Sequence, residues 1–337
     1  MNILITGGAG YLGSILVGKL FAANTQATHT MGTVHVKDEF NALANEIMFD
    51  KLTVYDNLMY RQVCLTDYTY MKNFEFVHGD VRDHDKLLPY IKKADVIIPL
   101  AAIVGFPACD KDPRLAHEVN TEQIEFILKN TTSNQHIIFP NTNSGYGAGA
   151  GQELCTEETP LAPISVYGKT KCESEKMLLD SGRAITLRLA TVFGVSPRMR
   201  LDLLVNDFTY KAVNDGYIVL FEKDFKRNFI HIRDVALTFI FMINSYNKYV
   251  GQSFNVGLSS ANLSKLELAE EIKKVVPKFS IQVDDFFQDP DKRNYIVSNT
   301  KLEATGWKPH YTLRAGIEEL VSAYRIIQHN NRNFTNL

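Results

Sequence analysis

Asn2-Ile3-Leu4-Ile5-Thr6-Gly7-Gly8-Ala9-Gly10-Tyr11-Leu12-Gly13 is the stretch on which the reading of the whole chain turns. Its first five residues form a short apolar run of the kind a buried parallel strand shows, and Tyr11 to Ala22 follows with helical spacing. Between them Gly7, Gly10 and Gly13 recur at every third position. A strand that turns this tightly into a helix brings peptide N–H groups and the helix N-terminus against a pyrophosphate. The stretch therefore predicts a dinucleotide site with Gly7, Gly10, Tyr11, Leu12 and Gly13 as contacts.

Working outward, further apolar runs close on a turn or polar residue: Leu52 to Tyr55 before Asp56, Phe74 to Val77 before Gly79-Asp80, Val96 to Leu100, His136 to Phe139 and Ile185 to Leu189. Helical patterns lie between most of them, as at Asp83 to Lys92 and Arg114 to Lys129. This alternation predicts an α/β protein, a doubly wound Rossmann parallel sheet with helices on both faces. The dinucleotide domain is expected over 1–193. Beyond it the pattern turns mixed, with helices at Leu201 to Val213, Ile232 to Ser245, Ser264 to Val276 and Leu313 to Gln328. A smaller mixed α/β substrate lobe over 194–337, interleaved with the first domain, would close over a ligand at the carboxyl ends of the strands. Residues 23–50 interrupt the rhythm and are expected to be an insertion, with a hairpin around Thr33 to Val36 and a short helix after it.

An acid at the end of the second strand suits ribose hydroxyls and repels a 2′-phosphate, so Asp56 points to NAD over NADP. Asn57 and Leu58 continue that turn. Asp80 and Val81 end the next strand on the adenine side, and Leu100, Ala101 and Ala102 provide small side chains where backbone approaches the cofactor.

The composition excludes several classes. Of 337 residues 45% are hydrophobic and 22% charged, with a formal net charge of −2 and no block of like charge, which gives no nucleic-acid surface. No run of about 18 apolar residues is present to span a membrane. Four cysteines, Cys64, Cys109, Cys155 and Cys172, form no C-x-x-C pair, so neither a metal nor a disulfide framework is expected. The apolar run at Asn2 leaves no room for a signal peptide, and a cytoplasmic protein is the expectation.

Chemistry enters with Thr142 and Tyr167-Gly168-Lys169-Thr170-Lys171. Removing hydride from a secondary alcohol needs a base on the hydroxyl, and a phenol of pKa about 10 must be helped to ionise. Lys171 lies one helical turn after Tyr167 and faces the same way, where its ammonium favours the phenolate.

Together these segments identify the chain as resembling an extended short-chain dehydrogenase/reductase of the nucleotide-sugar epimerase/dehydratase family. The residues carrying the resemblance are GGAGYLG (7–13), YDNL (55–58), GDVRD (79–83), LAA (100–102), YGKTK (167–171), LRLATVFG (187–194), RNFIHIRDVA (227–236), FNVG (254–257) and GW (306–307). It implies NAD as cofactor, a lysine that also holds the nicotinamide ribose, and Thr142 sharing the substrate proton with Tyr167. It implies a nucleotide-diphosphate sugar as substrate, with Arg227 and Arg293 on its phosphates and Arg198 and Arg200 on a loop near the same cleft. Val104 and Thr191 fall at substrate positions. Thr191 stands where the family often carries Asn, leaving Asn206 and Asn143 as replacements. His231 and Asp234 are expected to knit the second lobe to the sheet. The family pairs subunits through a four-helix bundle, here Arg114 to Lys129 and Val166 to Asp180, so a homodimer is implied.

The dehydratases of the family place an Asp-Glu pair directly after the Ser/Thr. Here Asn143 and Ser144 stand there, and neither titrates usefully. Cys109 and His117 are candidates for a replacement acid–base group, though a buried cysteine and a helix-face histidine are the plainer readings. What remains is oxidation at sugar C4, by a 4-epimerase or a 4-dehydrogenase. The stretches 190–208 and 140–147 resemble a subgroup acting on sugars of bacterial surface polysaccharides, GDP-linked heptoses included. The alternatives are a 4,6-dehydratase and a non-catalytic NAD-binding sensor.

Overall fold

The computed structural model describes residues 1–24, 47–148, 154–284 and 293–327. The expected hairpin and short helix of the 23–50 insertion lie outside the described residues. The strands, in chain order, are β1 (Asn2–Thr6), β2 (Lys51–Asp56), β3 (Phe74–His78), β4 (Val96–Pro99), β5 (His136–Thr142), β6 (Leu154–Cys155), β7 (Ala184–Leu189), β8 (Thr191–Phe193), β9 (Tyr217–Leu220), β10 (Lys226–His231), β11 (Ser253–Val256), β12 (Asn262–Ser264), β13 (Ser280–Val283) and β14 (Ile296–Val297).

Seven of them form one sheet in the order β11-β7-β5-β4-β1-β2-β3, and every pairing in it is parallel. The alternation of apolar residues explains why both faces are covered. In β1, Ile3 and Ile5 enter the core shared with the Tyr11–Ala23 and Ile232–Asn244 helices. Leu4, between them, faces the opposite core with the His84–Lys93, Gln123–Asn130 and Val166–Asp180 helices. A strand buried on both faces reads as a continuous apolar run, as these do.

Strand β5 departs from the expected element. Strand β5 runs past Phe139 through Pro140 to Thr142. The proline is tolerated because β4 pairs only with His136 and Ile137, so no N–H is required on that side beyond them. The divergence opens a cleft at the carboxyl end of the sheet and puts Thr142 at its edge. The seventh strand, β11, comes from the C-terminal half and pairs with β7, so the chain returns to the main sheet after leaving it.

The expected Arg114-to-Lys129 helix is interrupted. Pro113–His117 and Gln123–Asn130 are α-helical, joined by a π-helical turn over Glu118–Glu122. The smaller sheets β12-β10-β8 and β13-β9 pack with the Leu204–Asn214, Lys265–Val275 and Leu313–Tyr324 helices around a second core that includes Phe193, Phe208, Phe229, Ile272 and Leu320. His231 and Asp234 tie this part together. Buried His231 pairs with Glu319 at 2.8 Å, and the Asp234 carboxylate accepts from the His310 and Tyr311 amides at 2.8 and 3.0 Å. Among the described residues no helix is long and apolar enough to cross a membrane.

Candidate active site

The carboxyl ends of the sheet strands, the Tyr11–Ala23 helix N-terminus and the β8-to-β10 region enclose a cavity of about 560 Å³. One wall is the glycine turn. Gly7 has φ +70° and its N–H bonds Tyr55 O at 2.8 Å. A Cβ there would stand 2.5 Å from the Ala101 amide nitrogen, and one at Gly13 would stand 2.5 Å from the Gly8 carbonyl oxygen. No side chain fits either place, so the chain presents bare backbone to the cavity. The helix begins on Gly10 with no side-chain cap, which leaves its first N–H groups directed outward.

Asp56 ends β2 and is buried. Its carboxylate accepts from Ala9 N at 3.0 Å and Leu58 N at 2.8 Å, locking the glycine turn to the β2 turn. Burial pushes its carboxyl above the ordinary range, and those two backbone bonds pull it back. Asp80 lines the cavity beside Asn57 and chelates Arg82 through two 2.9 Å bonds, which holds it down at about 2. Val81, Leu100, Ala101 and Ala102 complete this end. Leu58 is placed by its backbone in the turn, at φ 51°, and does not line the cavity.

At the other end stand Thr142, Tyr167 and Lys171. Thr142 leaves the last position of β5, and Ser165 caps the helix that carries the other two by accepting from Gly168 N at 3.1 Å. Burial pushes the Tyr167 phenol up to about 12, while Arg200, Arg293 and a hydrogen bond with Thr142 pull it down. Burial lowers the Lys171 ammonium to about 7, with Cys172 and Glu175 acting the other way. Lys171 as a residue is 3% exposed; its ammonium lies 3.9 Å over the Phe139 ring and has no hydrogen-bond acceptor among the described residues. A buried cation without an acceptor is costly to hold. It is a site awaiting an oxygen ligand.

Arg198, Arg200, Arg227 and Arg293 all reach the cavity, with Val104 and Thr191. Arg198 lies 4.4 Å over the Tyr60 ring, Arg200 pairs with Asp202, and Arg227 lies 5.5 Å over the Tyr295 ring. Arg293 donates to the Ser144 hydroxyl.

Two proposed substrate residues are elsewhere. Asn206 is fully buried and its amide is spent: Oδ1 accepts from Gly194 N at 3.0 Å, and Nδ2 donates to Tyr11 Oη at 3.2 Å and Arg200 O at 2.8 Å. It shapes the loop that carries Arg200 and does not line the cavity. Asn143 is also fully buried behind the β5 end, while Asn141, Thr142 and Ser144 line the cavity around it. Cys109 and His117 are likewise off the wall. Burial pushes the Cys109 thiol up to about 12, and His117 lies outside between Glu122 and Glu173.

Asn120 carries no signal in the sequence. The π-helical turn delivers it under the cofactor-facing loop, where it accepts from Ile103 N at 2.8 Å and donates to Ile103 O at 3.0 Å and Thr170 Oγ1 at 3.2 Å. One amide thus fixes the 101–104 loop relative to the helix of Tyr167 and Lys171. Tyr60, Asp202, Leu203, Lys265 and Tyr295 also line the cavity.

Residues 3–257 match the sequence pattern of the NAD dependent epimerase/dehydratase family. The chain belongs to this family. Among relatives of the family, a low-salt glycan biosynthesis protein, Agl12, of Haloferax volcanii is 26% identical, covering 96% of this chain and 98% of its own. CDP-paratose 2-epimerase of Salmonella typhi is 25% identical over 95% of this chain and 98% of its own. The solved structure of UDP-glucuronic acid 4-epimerase from Bacillus cereus superposes with TM-score 0.78 at 21% identity, covering 97% of this chain and 100% of that one. Family membership makes NAD the cofactor. The residues fit it on three counts: the side-chain-free glycine cradle, the Asp56 carboxylate beside it, and the acceptorless ammonium of Lys171.

Proposed function

We propose that this protein is an NAD-dependent nucleotide-sugar oxidoreductase that oxidises the sugar C4 hydroxyl, as a 4-epimerase or a 4-dehydrogenase. The observation that carries the assignment is the content of the Thr142 wall. Thr142, Tyr167 and Lys171 stand together there, and no histidine or cysteine is among the described cavity residues. The carboxylates that reach the cavity are Asp56, Asp80 and Asp202. Asp56 is tied to backbone amides, Asp80 to Arg82 and Asp202 to Arg200. Elimination of water needs an acid and a base besides the tyrosine, and the wall offers neither.

Gly7, Gly10, Tyr11, Leu12, Gly13, Asp56, Asp80 and Lys171 would hold NAD, which supplies the hydride acceptor when bound. Tyr167, as phenolate, takes the proton of the C4 hydroxyl. Lys171 stabilises that phenolate and donates to the ribose, relieving its own unsatisfied burial. Thr142 orients the reacting hydroxyl. Arg227 and Arg293, with Arg198 and Arg200 nearby, supply planar, permanently charged donors for a diphosphate.

The name of the Haloferax volcanii relative supports a place in glycan assembly, and a GDP-linked hexose or heptose is among the substrates to try. A homodimer built on the Pro113–Asn130 and Val166–Asp180 helices belongs to the same proposal. Their outer faces carry exposed Arg114, Glu122, Glu125, Lys129, Lys169 and Glu173, so such a pairing would be salt-sensitive.

The test is incubation with UDP-, dTDP- and GDP-sugars, following absorbance at 340 nm and the sugar products by NMR. Accumulating NADH with a 4-keto sugar identifies a dehydrogenase, and a C4 epimer without net NADH an epimerase. A 4-keto-6-deoxy product would move the protein to the dehydratases. NAD binding with no turnover on any of them would leave a sensor.

A further inference from the structure

Lys171 has a carboxylate one turn away on its own helix and does not use it. Glu175 follows at i+4, the spacing at which a lysine and a glutamate on one helix face pair. Both residues are buried, the setting in which an ammonium most needs such a partner. The ammonium lies over the Phe139 ring instead.

Strand β7 supplies the reason. Thr186 and Arg188 stand two apart on the face turned to that helix, while Ile185 and Leu187 enter the opposite core. Thr186 Oγ1 donates to Glu175 Oε1 at 2.7 Å, and Arg188 Nε donates to Oε1 at 3.2 Å and Oε2 at 3.0 Å. Both carboxylate oxygens are thus met from the strand side. The guanidinium is fixed from behind as well, since Nη1 donates to Tyr146 Oη at 3.1 Å and Glu157 O at 3.0 Å. The thiols of Cys172 and Cys109 also face Lys171, but burial pushes each up to about 12, so both are neutral. Among the described residues Glu175 is the one carboxylate that acts on the ammonium.

We propose that Arg188 is a positioning residue: by occupying both oxygens of Glu175 it keeps that carboxylate from capturing Lys171, and leaves the ammonium free for the cofactor ribose and Tyr167. The inference rests on the role given to Lys171 above and on no particular sugar. Tyr167 lies one turn before Lys171 and Glu175 one turn after it, so capture would draw the ammonium away from the tyrosine. Removing Arg188 alone leaves a buried carboxylate within reach of a buried ammonium, and the two pair. Removing Glu175 as well takes away the competitor together with its restraint, and Lys171 is free again.

The test titrates NAD into the full chain by calorimetry, for wild type, Arg188→Met and Arg188→Met/Glu175→Leu, with folding checked by circular dichroism. Arg188→Met is expected to lose about tenfold or more in NAD affinity, the scale of a hydrogen bond from a charged donor. The double variant is expected to recover to within about threefold of wild type. A second readout is the titration midpoint of Lys171, followed by NMR on lysine labelled with carbon-13 at Cε. It should lie at about 7 in wild type, higher in Arg188→Met, and no higher than wild type in the double variant. A double variant that binds NAD as weakly as the single one would make Arg188 purely structural and overturn the proposal. So would full NAD affinity in a folded Arg188→Met, or a Lys171 midpoint that stays where it is. If Arg188→Met does not fold, Arg188→Gln, neutral but still a donor, replaces it in the same comparison. Lys171→Met is measured beside them: NAD affinity equal to wild type there would remove Lys171 from the ribose, and this inference with it. No sugar nucleotide enters these measurements, so a failed substrate assignment would leave them unchanged.

Discussion

Lys171 should weaken the protein it serves. Its ammonium is buried over the Phe139 ring without an acceptor, and burial brings it from the usual 10.5 to about 7. At about 1.4 kcal/mol per tenfold change in a proton equilibrium, this corresponds to a cost of roughly 4–5 kcal/mol below pH 7. Lys171→Met replaces the charge with an unbranched apolar chain that suits an aromatic contact. Allowing for imperfect repacking, the cofactor-free variant should gain about 2–4 kcal/mol at pH 6. With an unfolding entropy of about 2.1 cal/mol/K per residue over 337 residues, that is an apparent Tm higher by roughly 3–6 °C.

The gain has a defined pH dependence. In the unfolded chain the lysine keeps its proton to about pH 10.5, whereas in the fold it loses it near 7. Between those values the unfolded state binds more protons, so wild-type stability rises with pH. The advantage of the variant is therefore full below pH 7 and fades toward pH 10. Tyr167, held up near 12, contributes only above that window. Thermal melts at pH 6, 7.5 and 9, with and without NAD, read this directly. NAD should stabilise wild type more than the variant, because only the lysine gains a partner. A variant less stable than wild type at pH 6, or a Tm difference that ignores pH, would refute the buried-charge account.

Three further outcomes are expected. Tyr167→Phe should leave the NAD dissociation constant within about twofold while lowering kcat by a hundredfold or more, measured by fluorescence titration and NADH absorbance. Gly13→Ala should abolish measurable NAD binding, since its Cβ would stand 2.5 Å from the Gly8 carbonyl oxygen and the turn must deform to admit it. Arg227→Ala should weaken a nucleoside diphosphate by about tenfold or more in calorimetry, with NAD affinity unchanged.

Much of the site was legible in the chain because its chemistry is local in sequence. The glycine turn is a run of seven residues, and its contacts with backbone follow from having no side chains. Tyr167 and Lys171 share a helix face by spacing alone. Asp56 and Asp80 are marked by where their strands stop. The substrate side was harder. Asn143 and Asn206 carry amides of the right chemistry, but side-chain direction at the end of β5 and the packing of the 194–206 loop decide whether such an amide meets the cavity. Asn120 gave no signal, because nothing in Arg114 to Lys129 announces the π-helical turn that places it under Ile103. Strand β5 was expected to stop before Pro140, and it continues because its β4 neighbour ends first.

The sequence by itself determined the doubly wound α/β plan, the glycine cradle and the family, because each follows from periodicity or from residues adjacent along the chain. Only the tertiary structure decided which polar groups share one wall. Thr142, Ser144, Tyr167 and Arg293 come from β5, the turn after it, a helix and a distant C-terminal segment. Arg293 meets the Ser144 hydroxyl across 149 residues of chain because long-range packing brings those pieces together, and no spacing in the sequence encodes that contact.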